Sequence, residues 1–255
     1  VSVRENQKRR IWVWISAFLI QLILAVGTLT VYLSRIMKWN ESGVYATKSA
    51  YKTAMCEAAR DALSFNTYQW FFVILLAMVI GMQGFSYLND RRKVDLYHSV
   101  PVSRKSRFWV IYTGGIAIYV LSSLVSLVLG IGIAASMGAA DGKVIAATGL
   151  AFLWNFLFFL VMYHAAMFAV MLTGNWFVTI LVFAFLAVYE AGIYYLLDSF
   201  KSAFFRTASS MYVTTEPKLS ALSDYINMLY PLKYGTADIG GLLKTILPYC
   251  GKWIM

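Results

Sequence analysis

The stretch that decides the fold is VIAATGLAFLWNFLFFLVMYHAAMFAVMLTGNWFVTILVFAFLAVY, residues 144–189, which contains no Asp, Glu, Lys or Arg. As a single helix these 46 residues would extend roughly 70 Å, more than twice the ~30 Å hydrocarbon core of a bilayer. We predict a break within LTGNW, residues 172–176, because Gly174 and Asn175 both tolerate left-handed backbone geometry. This division predicts membrane spans at about 145–172 and about 175–197.

Three more uncharged runs lie nearer the N-terminus. The first covers residues 11–34 and follows three bases at 8–10, an arrangement that resembles the start of a signal peptide. Its apolar part is too long for a signal peptide and lacks a convincing cleavage site, so we expect an uncleaved span. The other two runs predict spans at about 70–88 and about 108–136. The third span contains three serines whose hydroxyls can donate to carbonyls of their own helix, so they do not forbid burial: Ser122, Ser123 and Ser126.

The composition supports lipid as the solvent for much of the surface. Of the 255 residues, 60% are hydrophobic and 13% charged, about half the charged fraction of a soluble domain, and the mean hydropathy is +0.65. We therefore predict an all-α integral membrane protein with about five transmembrane helices in residues 1–198. Residues 199–255 contain no charge-free run of span length, so we expect outer interfacial or re-entrant helices there.

The chain lacks the sequence features that several classes of function require. The net charge of +10 comes from bases at the ends of apolar runs, which is typical of membrane topology and argues against nucleic-acid binding. The segment GAADGKV, 138–144, is one residue too short for a phosphate-binding loop and has Val144 where such a loop has a hydroxyl. We expect no catalytic residue, cofactor or metal site in this chain. Cys56 and Cys250 are expected on the same side of the membrane, as a disulfide or as two unrelated thiols.

Orientation follows from the distribution of Lys and Arg. With the N-terminus in the cytoplasm, the inner segments 1–10, 90–107 and 173–175 carry ten bases in 31 residues. The outer segments 35–61, 141–143 and 198–255 then carry twelve bases in 88 residues. The positive-inside rule therefore favours a cytoplasmic N-terminus.

The connector between the second and third spans, DRRKVDLYHSVPVSRKSR at 90–107, is far more charged than its surroundings. Leu96, Tyr97 and Val100 share one face of a short helix that Pro101 would end, and Ser103 is placed to cap the next helix. One interpretation is a solvated basic loop that sets topology. The other is a short amphipathic helix, marginal on its own in water, that docks onto a cytoplasmic partner.

The segment RRKVDLYHSVPVSRKSRFWVIY resembles the signature between the second and third spans of type-2 ABC-exporter permeases of Gram-positive bacteria. ENQKRRIWVW before the first span and AVMLTGNWFV between the fourth and fifth spans resemble the same family, so the likeness covers roughly residues 5–200.

The resemblance implies a plasma-membrane permease subunit of a bacterium that moves an amphiphile outward. It would work with a separate ATP-binding-cassette ATPase and with a second permease copy or homologue. Residues 90–101 would form the coupling helix, whose ATPase-facing residues would be Val94, Asp95, Leu96, Tyr97, His98, Ser99 and Pro101. The family carries six spans where we predict five, which fits a chain cut before the sixth.

Two ionisable residues fall inside predicted spans, His164 in the fourth and Glu190 in the fifth. Such residues tend to face a bundle interior or water. They could serve a proton relay or contact substrate, or they could form ordinary interhelical polar contacts. Two other functions stay open at this point: an ion-driven secondary transporter, and a membrane sensor or anchor that transports nothing.

Overall fold

The structure is a computed structural model that describes residues 10–64, 69–89 and 103–204. About 90% of this part of the chain is helical, and it contains no strand. The elements in chain order are α1 (Ile11–Leu22), a π-helical turn (Ile23–Gly27), α2 (Thr28–Glu41), α3 (Lys48–Ser64), α4 (Gln69–Phe85), a 3₁₀ turn (Ser86–Asn89), α5 (Arg104–Ser136), α6 (Gly142–Leu172) and α7 (Trp176–Phe204).

Four helical stretches are long and apolar enough to cross a membrane. They are Ile11–Glu41, Arg104–Ser136, Gly142–Leu172 and the stretch Lys48–Phe85, of which residues 65–68 lie outside the described part. The predicted fifth span falls within α7, where the described apolar part is Trp176–Ala187. These features fit an all-α, multi-pass membrane protein.

The outward surface of the bundle is apolar as well. Trp12 is 76% exposed, Phe177 68% and Val128 67%, and many other large apolar side chains of α1, α5 and α7 also point outward. An aqueous surface with so many contiguous apolar side chains would drive association, whereas lipid accepts them without cost.

Helix α3 lies in a segment that the sequence analysis assigned to an outer connection. Its five charged residues hide an amphipathic pattern in which Met55, Ala59 and Ala62 are buried at helical spacing. This face packs against Leu29 and Leu33 of α2 to form a second hydrophobic cluster. The predicted first span, 11–34, belongs to a longer helical stretch, Ile11–Glu41, and the predicted second span, 70–88, overlaps α4 and the 3₁₀ turn that follows it.

The main core lies between α4 and α6. Val73, Leu76 and Ile80 of α4 and Phe158 and Phe159 of α6 are at most 1% exposed in this cluster. The two backbones approach closely because Gly81 faces Ala166: a Cβ on Gly81 would lie 2.8 Å from the Ala166 Cβ. Small residues permit such close approach between helices in lipid.

The break between α6 and α7 has a different cause from the one predicted. Among the described residues only Gly43 and Gly138 have positive φ, so neither Gly174 nor Asn175 is left-handed. Instead Thr173 is extended, with φ −119° and ψ 147°. Asn175 then caps α7, because its Oδ1 accepts from the Phe177 N–H at 3.0 Å.

The α4–α6 contact generates a prediction about Gly81. Gly81→Ala places two backbone-fixed Cβ atoms in overlap, so the helices must separate at a cost of about 1–3 kcal/mol. We expect a lower midpoint of thermal unfolding in detergent. Gly149→Ala on α6 is the matched control, since a Cβ there meets nothing within 4 Å. Equal midpoints for the two variants would contradict this packing.

Candidate functional site

A buried arginine joins three helices at one end of the bundle. Arg10, the N-cap of α1, is 3% exposed. Its Nη2 donates to the Ile80 carbonyl of α4 at 2.7 Å, and its Nη1 donates to the Ile111 carbonyl of α5 at 3.4 Å. Its Nε lies 3.5 Å from Gln83 Oε1. Among the described residues these hydrogen-bond partners are all uncharged: two main-chain carbonyls and one side-chain amide.

Two glycines leave space beside these residues. Gly84 follows Ile80 by four residues and leaves room for the guanidinium, whereas Gly115 follows Ile111 by four residues and leaves room for Tyr163. A Cβ on Gly84 would lie 3.1 Å from Arg10 Nη2. A Cβ on Gly115 would overlap the hydroxyl of Tyr163, which packs into that space.

The Arg10 cluster (Arg10, Ile80, Gln83, Ile111 and Tyr163) sits at the base of the basic connector. Helix α4 enters the connector after Asn89, and α5 leaves it at Ser103. The Ser103 side chain accepts from the Ser106 N–H at 3.2 Å, so it caps α5 as its position predicts. The two helix ends that flank the connector are thus tied to each other and to the start of α1.

A column of aromatic rings extends from this cluster along the α5–α6 interface. Tyr119 stacks on Phe159 with centroids 3.9 Å apart and planes 6° from parallel. Phe159 stacks on Tyr163 at 5.5 Å, and Tyr163 on Tyr112 at 5.8 Å. Rigid rings in offset contact resist relative sliding of the two helices.

His164 lies on the exposed face of α6 beside this column. Its Nδ1 lies 2.6 Å from the Leu160 carbonyl, so Nδ1 carries the proton and donates. Its Nε2 lies 3.2 Å from the Tyr112 hydroxyl. These two contacts hold the imidazole in one orientation.

A polar groove of about 630 Å³ opens at the opposite end of the bundle, between α3 and the turn that joins α5 to α6. Its charged lining residues are Lys52, Glu57, Arg60, Asp141 and Lys143. The volume is that of a small-molecule site, but both signs of charge line it, so the groove does not select a ligand by charge alone.

The remaining predicted site residues are not placed. The ATPase-facing residues of the connector, Val94 to Ser99 and Pro101, lie outside the described residues. Glu190 is in α7, but its side chain also lies outside the described part. Within the residues described, no group of three or more His, Cys, Asp or Glu could hold a metal ion.

The roles of Arg10 and Tyr163 were not predicted from the sequence. Arg10 is the last of three bases before an apolar run, and nothing in the sequence distinguishes it from Lys8 and Arg9. The glycine that leaves room for its guanidinium, Gly84, lies far away along the chain.

Comparison with known protein families, with curated proteins and with solved structures finds no match for this chain.

The Arg10 cluster predicts a large difference between two arginine substitutions. Arg10→Gln leaves buried carbonyls without a charged donor and should lower the free energy of unfolding by about 1–3 kcal/mol. Arg104→Gln, at an exposed position at the start of α5, should change it by less than about 0.5 kcal/mol.

Thermal unfolding in detergent measures the stability of both variants. The stability of Arg10→Lys should lie between theirs, because a lysine keeps the charge but cannot bind two carbonyls at once as a planar guanidinium does. An Arg10→Gln protein as stable as Arg104→Gln would rule out a structural role for the buried guanidinium.

Proposed function

We propose that this chain is the membrane-spanning permease subunit of an ATP-driven exporter. It couples ATP hydrolysis by a separate ATP-binding-cassette subunit to the movement of an amphiphilic substrate across a bacterial plasma membrane. The single observation that carries the proposal is the connector 90–107, with its Val-Asp-Leu-Tyr-His-Ser and Pro-Val motifs between two basic clusters.

The helical architecture supports this proposal in a coarse way. Four helices are candidates for membrane spans, and the connector lies between the second and third of them. In the proposed function α7 is a fifth span, the N-terminus is cytoplasmic, and a second permease copy or homologue completes the transporter.

The Arg10 cluster supports a mechanical role for the connector. A partner that moves residues 94–101 can displace the bundle only if the flanking helix ends move together. Arg10 binds carbonyls of both α4 and α5 and belongs to the first turn of α1, so these ends form one unit. The stacked rings of Tyr163, Phe159 and Tyr119 extend this unit into the bundle.

The orientation is tested by cysteine labelling in intact cells. In a Cys56→Ser, Cys250→Ser background, Tyr97→Cys should react with a membrane-impermeant maleimide only after permeabilisation. Ser49→Cys, at an exposed position on the groove at the opposite end, should react from outside. The reverse pattern would exclude a cytoplasmic connector and the proposed coupling with it.

The partner is tested by co-purification in mild detergent. We expect an ATP-binding-cassette subunit to accompany the wild-type chain and to be lost with Leu96→Asp or Tyr97→Ala, because both changes remove apolar contact from the connector face. Lys143→Gln, exposed at the opposite end, is the matched control and should retain the partner.

Membrane insertion and thermal stability should be unchanged in all three variants. Retention of the ATPase by Leu96→Asp and Tyr97→Ala would contradict the coupling role of the connector.

Transport that persists in vesicles with a proton gradient and no ATP would favour a secondary transporter instead. A stable chain with neither partner nor transport would favour an anchor or sensor.

A further inference from the structure

A small polar cavity lies inside the bundle, between α1, α3, α5 and α6. Its volume is about 20 Å³. Gln21 reaches it from α1, about 15 Å along the helix axis from Ile11 and so near the middle of a ~30 Å hydrocarbon core. The polar residues that line it are Gln21, Gln69, Tyr119, Ser123, Ser126 and Asn155.

Three polar atoms in this cavity lack a hydrogen-bond partner among the described residues. They are Gln21 Nε2, Ser123 Oγ and Ser126 Oγ. The three residues are 5%, 4% and 1% exposed, so neither bulk water nor lipid headgroups reach them. A buried polar group without a partner costs roughly 1–3 kcal/mol, and three around one cavity are costly to leave unsatisfied.

Ser123 and Ser126 differ from Ser122 in their hydrogen bonds. Ser122, their neighbour, donates back to the Ile118 carbonyl at 2.6 Å, as serines in membrane helices commonly do. Ser123 and Ser126 make no such bond and instead line the cavity with Gln21. Both hydroxyls therefore line the cavity, the Ser123 hydroxyl close to that of Tyr119, and can bond a molecule inside it.

The backbone of the first span is irregular beside this cavity. The π-helical turn Ile23–Gly27 begins two residues after Gln21, and Leu24 and Ala25 of that turn line the cavity wall. A π turn inserts an extra residue into a helix and occurs frequently at functional sites. Irregular backbone at membrane depth is found where it lines a cavity or is covered by protein.

We propose that this cavity binds one water molecule, which accepts from Gln21 Nε2 and hydrogen-bonds the hydroxyls of Ser123 and Ser126. A volume of about 20 Å³ exceeds the roughly 10–15 Å³ that one water needs. The described lining residues include no carboxylate, and they offer the amide donor and hydroxyls that a water molecule can bond. The water links the first and third spans beside the π turn.

Hydroxyl-radical footprinting with an X-ray pulse tests the proposal on the intact detergent-solubilised protein. Radiolysis of a bound water oxidises the side chains next to it, even when these are buried. Tyr119 is 1% exposed and lines the cavity, whereas Tyr163 is 0% exposed and does not. We expect Tyr119 to be oxidised about tenfold faster than Tyr163, because only Tyr119 contacts the proposed water.

Trp39, 47% exposed near the end of α2, reports that radicals were produced. Oxidation of Trp39 with no oxidation of Tyr119 would overturn the proposal. Equal oxidation of Tyr119 and Tyr163 would also overturn it, because that result indicates general water penetration.

A pair of serine variants separates the bound water from other causes. Ser126→Val replaces an orphaned hydroxyl with apolar volume and should reduce Tyr119 oxidation about tenfold by displacing the water. Ser122→Ala removes a hydroxyl outside the cavity lining and should leave Tyr119 oxidation unchanged. Tyr119 oxidation that is the same in both variants counts against the site. If Ser126→Val fails to fold, the comparison of Tyr119 with Tyr163 in the wild-type protein decides the matter.

Discussion

The buried guanidinium of Arg10 is the constraint on which one end of this bundle depends. In a protein whose outward face is apolar, polar groups inside must find partners within the chain, because lipid supplies none. Arg10 stays charged at any physiological pH, so it cannot avoid the cost of burying a charge by losing its proton. Among the described residues its partners are the main-chain carbonyls of Ile80 and Ile111 and the side-chain amide of Gln83, so the guanidinium constrains how α4 and α5 are placed around it.

Small residues make this arrangement geometrically feasible. Gly84 leaves room for the guanidinium, Gly115 leaves room for Tyr163, and Gly81 lets α4 and α6 approach until Ala166 is in contact. Gly130 does the same where Leu63 of α3 meets α5, since a Cβ there would lie 2.7 Å from Leu63 Cδ2. At each of these glycines the missing side chain lets atoms of a neighbouring segment contact the glycine backbone directly. In lipid, helices are stabilised by the dispersion energy of such close contacts, because no water is displaced between them.

The sequence predicted the helices better than it predicted their contacts. Long uncharged runs specify helices because only helices satisfy their own backbone in lipid, so α5, α6 and the start of α7 fall near the expected bounds. Helix α3 was missed because its five charges mask an apolar stripe of mostly alanines. The roles of Arg10, Tyr163 and the cavity serines depend on residues brought together from different helices, and no spacing within one segment reveals them.

The two polar features of the interior are physically connected. Tyr163 belongs to the Arg10 cluster, Tyr119 lines the cavity beside the π turn, and Phe159 stacks between them with nearly parallel planes. Contact alone does not make a transmission path, which also requires an element with two accessible states. The π turn would supply that element if it reverts to α-helical hydrogen bonding when the proposed water leaves. In the proposed transporter, a displacement of the connector would therefore reach the π turn of the first span through stacked rings that resist sliding.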